Sequence, residues 1–309
     1  MKNTNSEIIK SKIDLLVCEL IVYSGFTSSI GLLNGRMGIC ILLYYYSRYF
    51  KSEEAEKHAC FLIDSIYRDT NNNSLDFGTS LLWVAWGLNY LYKNGFVEAD
   101  IDEVLKDLDI TVCNRYSKNI SLGIYITCRM QTSKYEDIWK EKGILWLENV
   151  EKLIVQQIKM NISDLSLLLY CFQKFQYYNI SVNYLERLKN SLLSYNRFLG
   201  KVYISNTDMI LLHSLIGQND LFFIEPNVLN SSLKDINKFF LNRLIYDGVI
   251  INTPECYLKG ISSIICENKC IDELIMLANP ENIGLNNFLG GFTWTLLQYY
   301  NDSYLIKSH

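Results

Sequence analysis

GLLNGRMGICILLYYYSRYF, residues 31–50, places three glycines and an arginine at the threshold of an almost wholly apolar run. Glycine inside a helix costs about 1 kcal/mol relative to alanine, so Gly31, Gly35 and Gly38 need a reason. Either they cap and pack a helix entrance, or they line a place where something approaches the backbone. The same design, a small or polar entrance followed by an apolar run, returns along the chain. Its further instances are DFGTSLLWVAWGLNYL, ISLGIYITCRM, ISDLSLLLYCF, NTDMILLHSLI, ECYLKGISSII and LNNFLGGFTWTLLQYY. With Asn34, Gly78, Ser121, Asp164, Asp208 and Cys256 as markers, the spacing stays near 43 to 48 residues. That is a period of α-helical repeats; the last interval, to Asn286, is about 30 residues.

Between these runs lie segments with a single apolar stripe. In SEEAEKHACFLIDSIY, Ser52 suits an N-cap, Glu53 and Glu54 suit the positive end of the helix dipole, and Ala55, Ala59, Leu62, Ile63 and Ile66 share a face. A second such helix starts at Asp100, with Glu103 in a capping-box position. A third runs from about Asn183, and a fourth begins near Ser232 and contains Ile236, Phe239 and Phe240. Alternating β-branched strand patterns are scarce, so the chain reads as all-α. A helix apolar all round is buried, and one with a single stripe covers something. Alternating the two predicts an inner ring and an outer ring, about seven helices each, closing into a single (α/α) toroid over residues 1–309. An open solenoid would need polar capping repeats, which neither terminal segment resembles.

The 309 residues suffice for one large domain or two small ones, and 49% of them are apolar. A net charge of −4 without a Lys/Arg stripe speaks against nucleic-acid binding. MKNTNSEIIKSKIDLLVCEL lacks the uninterrupted apolar core of a signal peptide, and no run reaches the roughly 20 apolar residues of a membrane span. The expected location is cytoplasmic. The nine cysteines form no CxxC pair and mostly read as small buried hydrophobes; the aromatic residues, Trp83, Trp86 and Trp294 among them, read mainly as core.

Inner helices opening on a Gly-Leu-x-x-Gly-x-x-Gly-Ile pattern resemble those of lanthionine synthetase C-like proteins. GLLNGRMGICILLYYYSRYF resembles the first repeat, DFGTSLLWVAWGLNYLYKNGFVEADIDEVLKDLD the second, and GLNNFLGGFTWTLL the last. The resemblance implies an (α/α) toroid tied to the maturation of ribosomally made peptides. In catalytic members a zinc ion activates cysteine thiols of a precursor peptide for thioether formation, held by one Cys from the fifth repeat and a Cys-His pair from the sixth. Here the fifth repeat opens SNTDMILLHSLI without a Cys, and in PECYLKG the pair becomes Cys256–Tyr257. The third and fourth repeats lack the acidic residue and the His that would manage protons. One Cys does not make a zinc site, so the resemblance implies a degenerate metal site and no bound zinc.

The expected partner is a precursor peptide or a peptide-modifying enzyme. Arg36, Asn34, Asp76, Tyr257 and Asn286 sit at helix entrances, where the toroid would gather them around a mouth, and are the candidate substrate-binding residues. Asp76, Asp164 and Asp208 fit helix N-caps first and an acidic lining of the mouth second. Asp208 and His213, one to two turns apart, are the candidate acid–base pair, and Cys256 the candidate metal ligand. A working cyclase with a rearranged site built on Cys256, His213 and Asp208 is the alternative. A carbohydrate-active barrel is a further one, but it would want paired carboxylates and a sugar-stacking Trp at the mouth.

Overall fold

A computed structural model describes residues 2–71, 80–116, 119–155, 162–180, 211, 214–215, 233–246, 261, 285 and 288–305, and every regular element among them is helical. In chain order these are α1 (Lys2–Ser24), α2 (Arg36–Phe50), α3 (Glu53–Asn71), α4 (Ser80–Lys93), α5 (Ile101–Val104), α6 (Lys106–Arg115), α7 (Leu122–Thr132), α8 (Glu136–Val155), α9 (Ile162–Tyr177), α10 (Leu233–Ile245) and α11 (Phe288–Tyr300), the last running into a π-helical turn at Asn301–Leu305. The all-α expectation holds. Among the described residues no helix is long and apolar enough to cross a membrane. The chain forms two compact units, Met1–Gly87 with Asn227–His309, and Leu88–Pro226.

In the first unit α2 is buried continuously from Arg36 to Tyr44 and packs on α3. α3 follows the expected pattern: Ser52 Oγ accepts the Ala55 N–H at 3.3 Å, and Ala55, Ala59, Leu62 and Ile66 are buried. The glycines before α2 now have a structural reason. Arg36 N–H donates to Ser29 O at 3.0 Å and Met37 N–H to Ile30 O at 3.2 Å, so the approach loop folds back onto the first turn. A Cβ on residue 35 would stand 2.5 Å from Ser29 O, and one on residue 38 would overlap Leu32 O and the Leu285 side chain. What approaches the backbone is the chain's own loop. The device recurs at α11, where a Cβ on residue 291 would stand 2.7 Å from Leu285 O; Leu32–Gly38 and Leu285–Gly291 share one spacing.

α11 packs against α10, α1 and α2. Trp294 Nε1 donates to Phe240 O at 3.2 Å and Thr295 Oγ1 to Asn237 Oδ1 at 2.6 Å. α10, expected to be amphipathic, is instead buried on nearly every described residue. Its polar positions are used inside the unit: Asn237 serves Thr295, and Arg243 grips Asp302 with contacts of 2.5 and 3.2 Å.

In the second unit Asp100 Oδ1 accepts the Asp102 N–H at 3.3 Å, starting a helix where the sequence predicts one. The helix breaks at buried Leu105 into α5 and α6. α7 packs on α8 and α9. Gly123 of α7 makes this possible: a Cβ there would stand 2.5 Å from the Trp146 ring and 2.8 Å from Cys171 Sγ. Trp146 in turn meets Phe172 and Phe175 edge-on and donates its Nε1–H to Asn119 O at 3.0 Å. The helix expected from Asn183 lies outside the described residues.

The reading of the cysteines needs correction. Cys40, Cys128 and Cys171 are buried as expected, but Cys18 and Cys60 are exposed, because each lies on the outward side of its helix. His58 on α3 is half-buried, and its Nε2 lies 2.9 Å from Ser24 Oγ. Ser24 Oγ also lies 2.8 Å from Ile21 O, so when its hydroxyl donates there the His58 ring supplies the proton as the Nε2–H tautomer.

Candidate functional site

Of the residues singled out in the sequence, Asn34 and Arg36 can be placed. Asn34 is exposed in the turn before α2. Arg36 is only 8% exposed and turns away from solvent; its two terminal nitrogens reach Ser65 and Asp69 of α3. The arginine therefore ties α2 to α3 across 33 residues of sequence, and the charge expected at a mouth is spent on a helix pair. Asp164 sits in the first turn of α9, where an acidic side chain suits the dipole. Asp76, Asp208, His213, Cys256, Tyr257 and Asn286 lie outside the described residues. Among the described residues no group of three His, Cys, Asp or Glu side chains is placed to hold a metal ion.

The described residues do form a site of another kind, in the second unit. α6 presents Lys106, Asp109, Ile110, Cys113 and Asn114, and α8 presents Ile138, Trp139, Lys142, Leu145, Trp146 and Asn149. Both sets follow the i, i+3, i+4, i+7 spacing of one helix face. They line two adjoining cavities of about 570 and 380 Å³ that share Lys142, with Leu122, Ile126 and Arg129 of α7 beneath. Low-numbered residues of both helices meet at one end and high-numbered ones at the other, so α6 and α8 run side by side in the same direction. The result is a groove with an inter-helix spacing left unfilled. Its rims are apolar and in water: Tyr135 is 59% and Leu145 60% exposed, and Ile110 and Ile138 are exposed too.

Arg129, 1% exposed, anchors the polar end. One terminal nitrogen donates to Asp102 at 2.6 Å and Asp109 at 3.0 Å, the other to Asn89 and Thr132 at 3.4 Å, and the guanidinium lies 5.1 Å from the Trp139 ring centroid. Burial opposes charge on Arg129, but Asp109, Tyr125 and Asp102 outweigh it and raise its pKa. Burial likewise works against ionised Asp102, yet hydrogen bonds from Ser133, Lys134 N–H (2.9 Å) and Arg129 hold its carboxyl below the usual range. Asp109 goes the other way, since burial outweighs both Arg129 and the bond from Tyr125 OH. At the rim Lys134 Nζ donates to Asp100 at 2.7 Å. At the other end burial pushes the Cys113 thiol up to about 11 against the pull of Lys142. A thiol that stays protonated is not a nucleophile, and the buried charges are committed to one another.

The sequence reading missed this groove. Its signal was available in EDIWKEKGILWLENV, where Trp139, Lys142, Leu145 and Trp146 recur at helical spacing. Comparison of the chain with protein-family models, with curated proteins and with solved structures gives no match.

Proposed function

We propose that this is a lanthionine synthetase C-like protein of peptide maturation, which binds a helical segment of a precursor peptide, or of an enzyme that modifies one, in the groove between α6 and α8. The observation that carries the binding is the pair of facing i, i+3, i+4, i+7 stripes with exposed apolar rims, the form in which helix-binding grooves receive an amphipathic helix. The repeated Leu–Gly backbone approach at α2 and α11, and the packing of α11 beside α1 and α2, support a repeat architecture of the (α/α) toroid kind. The metal site is proposed to be degenerate, with Cys256 left of the family's ligands, so the protein holds peptide without closing thioether rings.

The test is a titration with a synthetic Cys-containing amphipathic helical peptide, followed by anisotropy of a dye on the peptide. Ile138→Asp with Leu145→Asp is expected to weaken binding about tenfold or more. Equal binding by the double variant, or no binding by the parent, rejects the groove as the seat. Stoichiometric zinc in the purified protein rejects the degenerate site.

A further inference from the structure

α1 has two apolar faces. Ile9, Ile13, Leu16, Val17 and Leu20 are buried, and the helix packs on α11 and α2. On the opposite side Ile8, Leu15 and Val22 are exposed, Val22 by 58%, with exposed Ser11 and Cys18 between them. Positions 8, 11, 15, 18 and 22 alternate steps of three and four, the seam of a coiled coil, and extend over ~21 Å. Phe26, just past the helix, continues the exposed apolar surface. Single exposed apolar side chains are ordinary. A heptad line along a helix already anchored by its other face is the surface a second helix needs.

The charges beside the seam say which helix. Lys12 and Glu19 flank it on one side, seven residues apart, and Glu7 and Asp14 flank it on the other. An antiparallel pair of identical helices sets each flank against itself. Lys12 then faces Glu19 of the second copy, twice by symmetry, while Asp14 faces Ile21. A parallel pair would set Glu19 against Asp14 and so offset the attraction it makes between Glu7 and Lys12. We infer that the exposed face of α1 is a self-association surface, on which two copies of this chain pair α1 against α1, antiparallel about a two-fold axis near residues 15 to 18. The apolar seam supplies the affinity, and the flanking charges, half-buried at Lys12, Asp14 and Glu19 and individually weak, select the orientation.

Sedimentation velocity over a wide concentration range tests this on the full chain. The parent is expected to dimerise reversibly. Leu15→Glu, and separately Val22→Lys, should weaken the dimer about tenfold or more with unchanged circular dichroism, while Tyr177→Ser, an exposed aromatic of the second unit, should leave it intact. Lys12→Glu should weaken the dimer, and adding Glu19→Lys should restore it. Ile8→Cys, in a Cys18→Ser background, should give no extra disulfide-linked dimer on oxidation, because antiparallel pairing holds the two positions ~25 Å apart. A protein that stays monomeric, a dimer indifferent to Leu15→Glu, a charge swap that fails to restore association, or ready cross-linking through Ile8→Cys would each overturn the inference.

Discussion

The carbonyl of Leu32 occupies the space that a side chain on residue 38 would need. A backbone carbonyl cannot rotate aside as a side chain can, and Leu285 closes the same space from the other direction. Gly38→Ala is therefore expected to cost roughly 3 kcal/mol, the upper range for overpacking a core. Gly87 offers the comparison. Its absent Cβ faces only the unbranched side chain of Met37, which can change rotamer while alanine regains about 1 kcal/mol of helix propensity. Gly87→Ala should cost roughly 1 kcal/mol. Urea unfolding of the two variants beside the parent measures the difference; equal losses would mean that the approach loop yields.

Arg129→Met should destabilise the protein by about 3–5 kcal/mol, because it leaves the largely buried Asp102 and Asp109 without their partner. Arg36→Met should cost less, since Asp69 is more than a third exposed and water can take over. Denaturant midpoints rank the pair, and the reverse order would misplace the stronger ion pair.

His58 gives the stability a pH dependence. Burial lowers its pKa below the ordinary 6.5, so the unfolded chain takes up the proton first. Stability from the neutral ring is complete above pH 6.5 and is lost as the pH falls through the lower, folded value. His58→Gln, whose amide can still donate to Ser24, should flatten that part of the profile. The check is the unfolding midpoint between pH 7.5 and 5, and an unchanged slope in the variant would assign it to other groups.

At pH 8 the Cys113 thiol should react with iodoacetamide about 100-fold more slowly than a cysteine titrating at 9, since its pKa stands near 11. Lys142→Met should slow the reaction further, because Lys142 pulls that pKa down. Mass spectrometry of the labelled Cys113 peptide over time measures both rates. Labelling at the ordinary rate would mean that the thiol is wetter than its pocket indicates.

The readable parts of the sequence were those set by near neighbours. Helical periodicity and the Ser52 and Asp100 starts depend on residues within a turn or two, whereas the space at Gly38 is also closed by Leu285, far along the chain. The pairing of Arg36 was not legible because Asp69 is 33 residues away, and nothing local announces an ion pair between two helices. α10 was misread as amphipathic because Asn237, Asn242 and Arg243 look like a solvated face, and only packing against α11 turns them inward. The groove escaped for the same reason: α6 and α8 each resemble an ordinary surface helix until set side by side. Asp76, Asp208, His213, Cys256, Tyr257 and Asn286 lie outside the described residues.

Gly123 and Trp146 make one lasting commitment between α7 and α8. The indole fits only because residue 123 has no side chain, and it also walls the groove. Drift at either position is therefore not independent. A descendant that gains even a methyl group at 123 must shrink 146, and in doing so it reshapes the groove. Inheritance at these two sites should be paired, with a change of groove shape accompanying every change of packing.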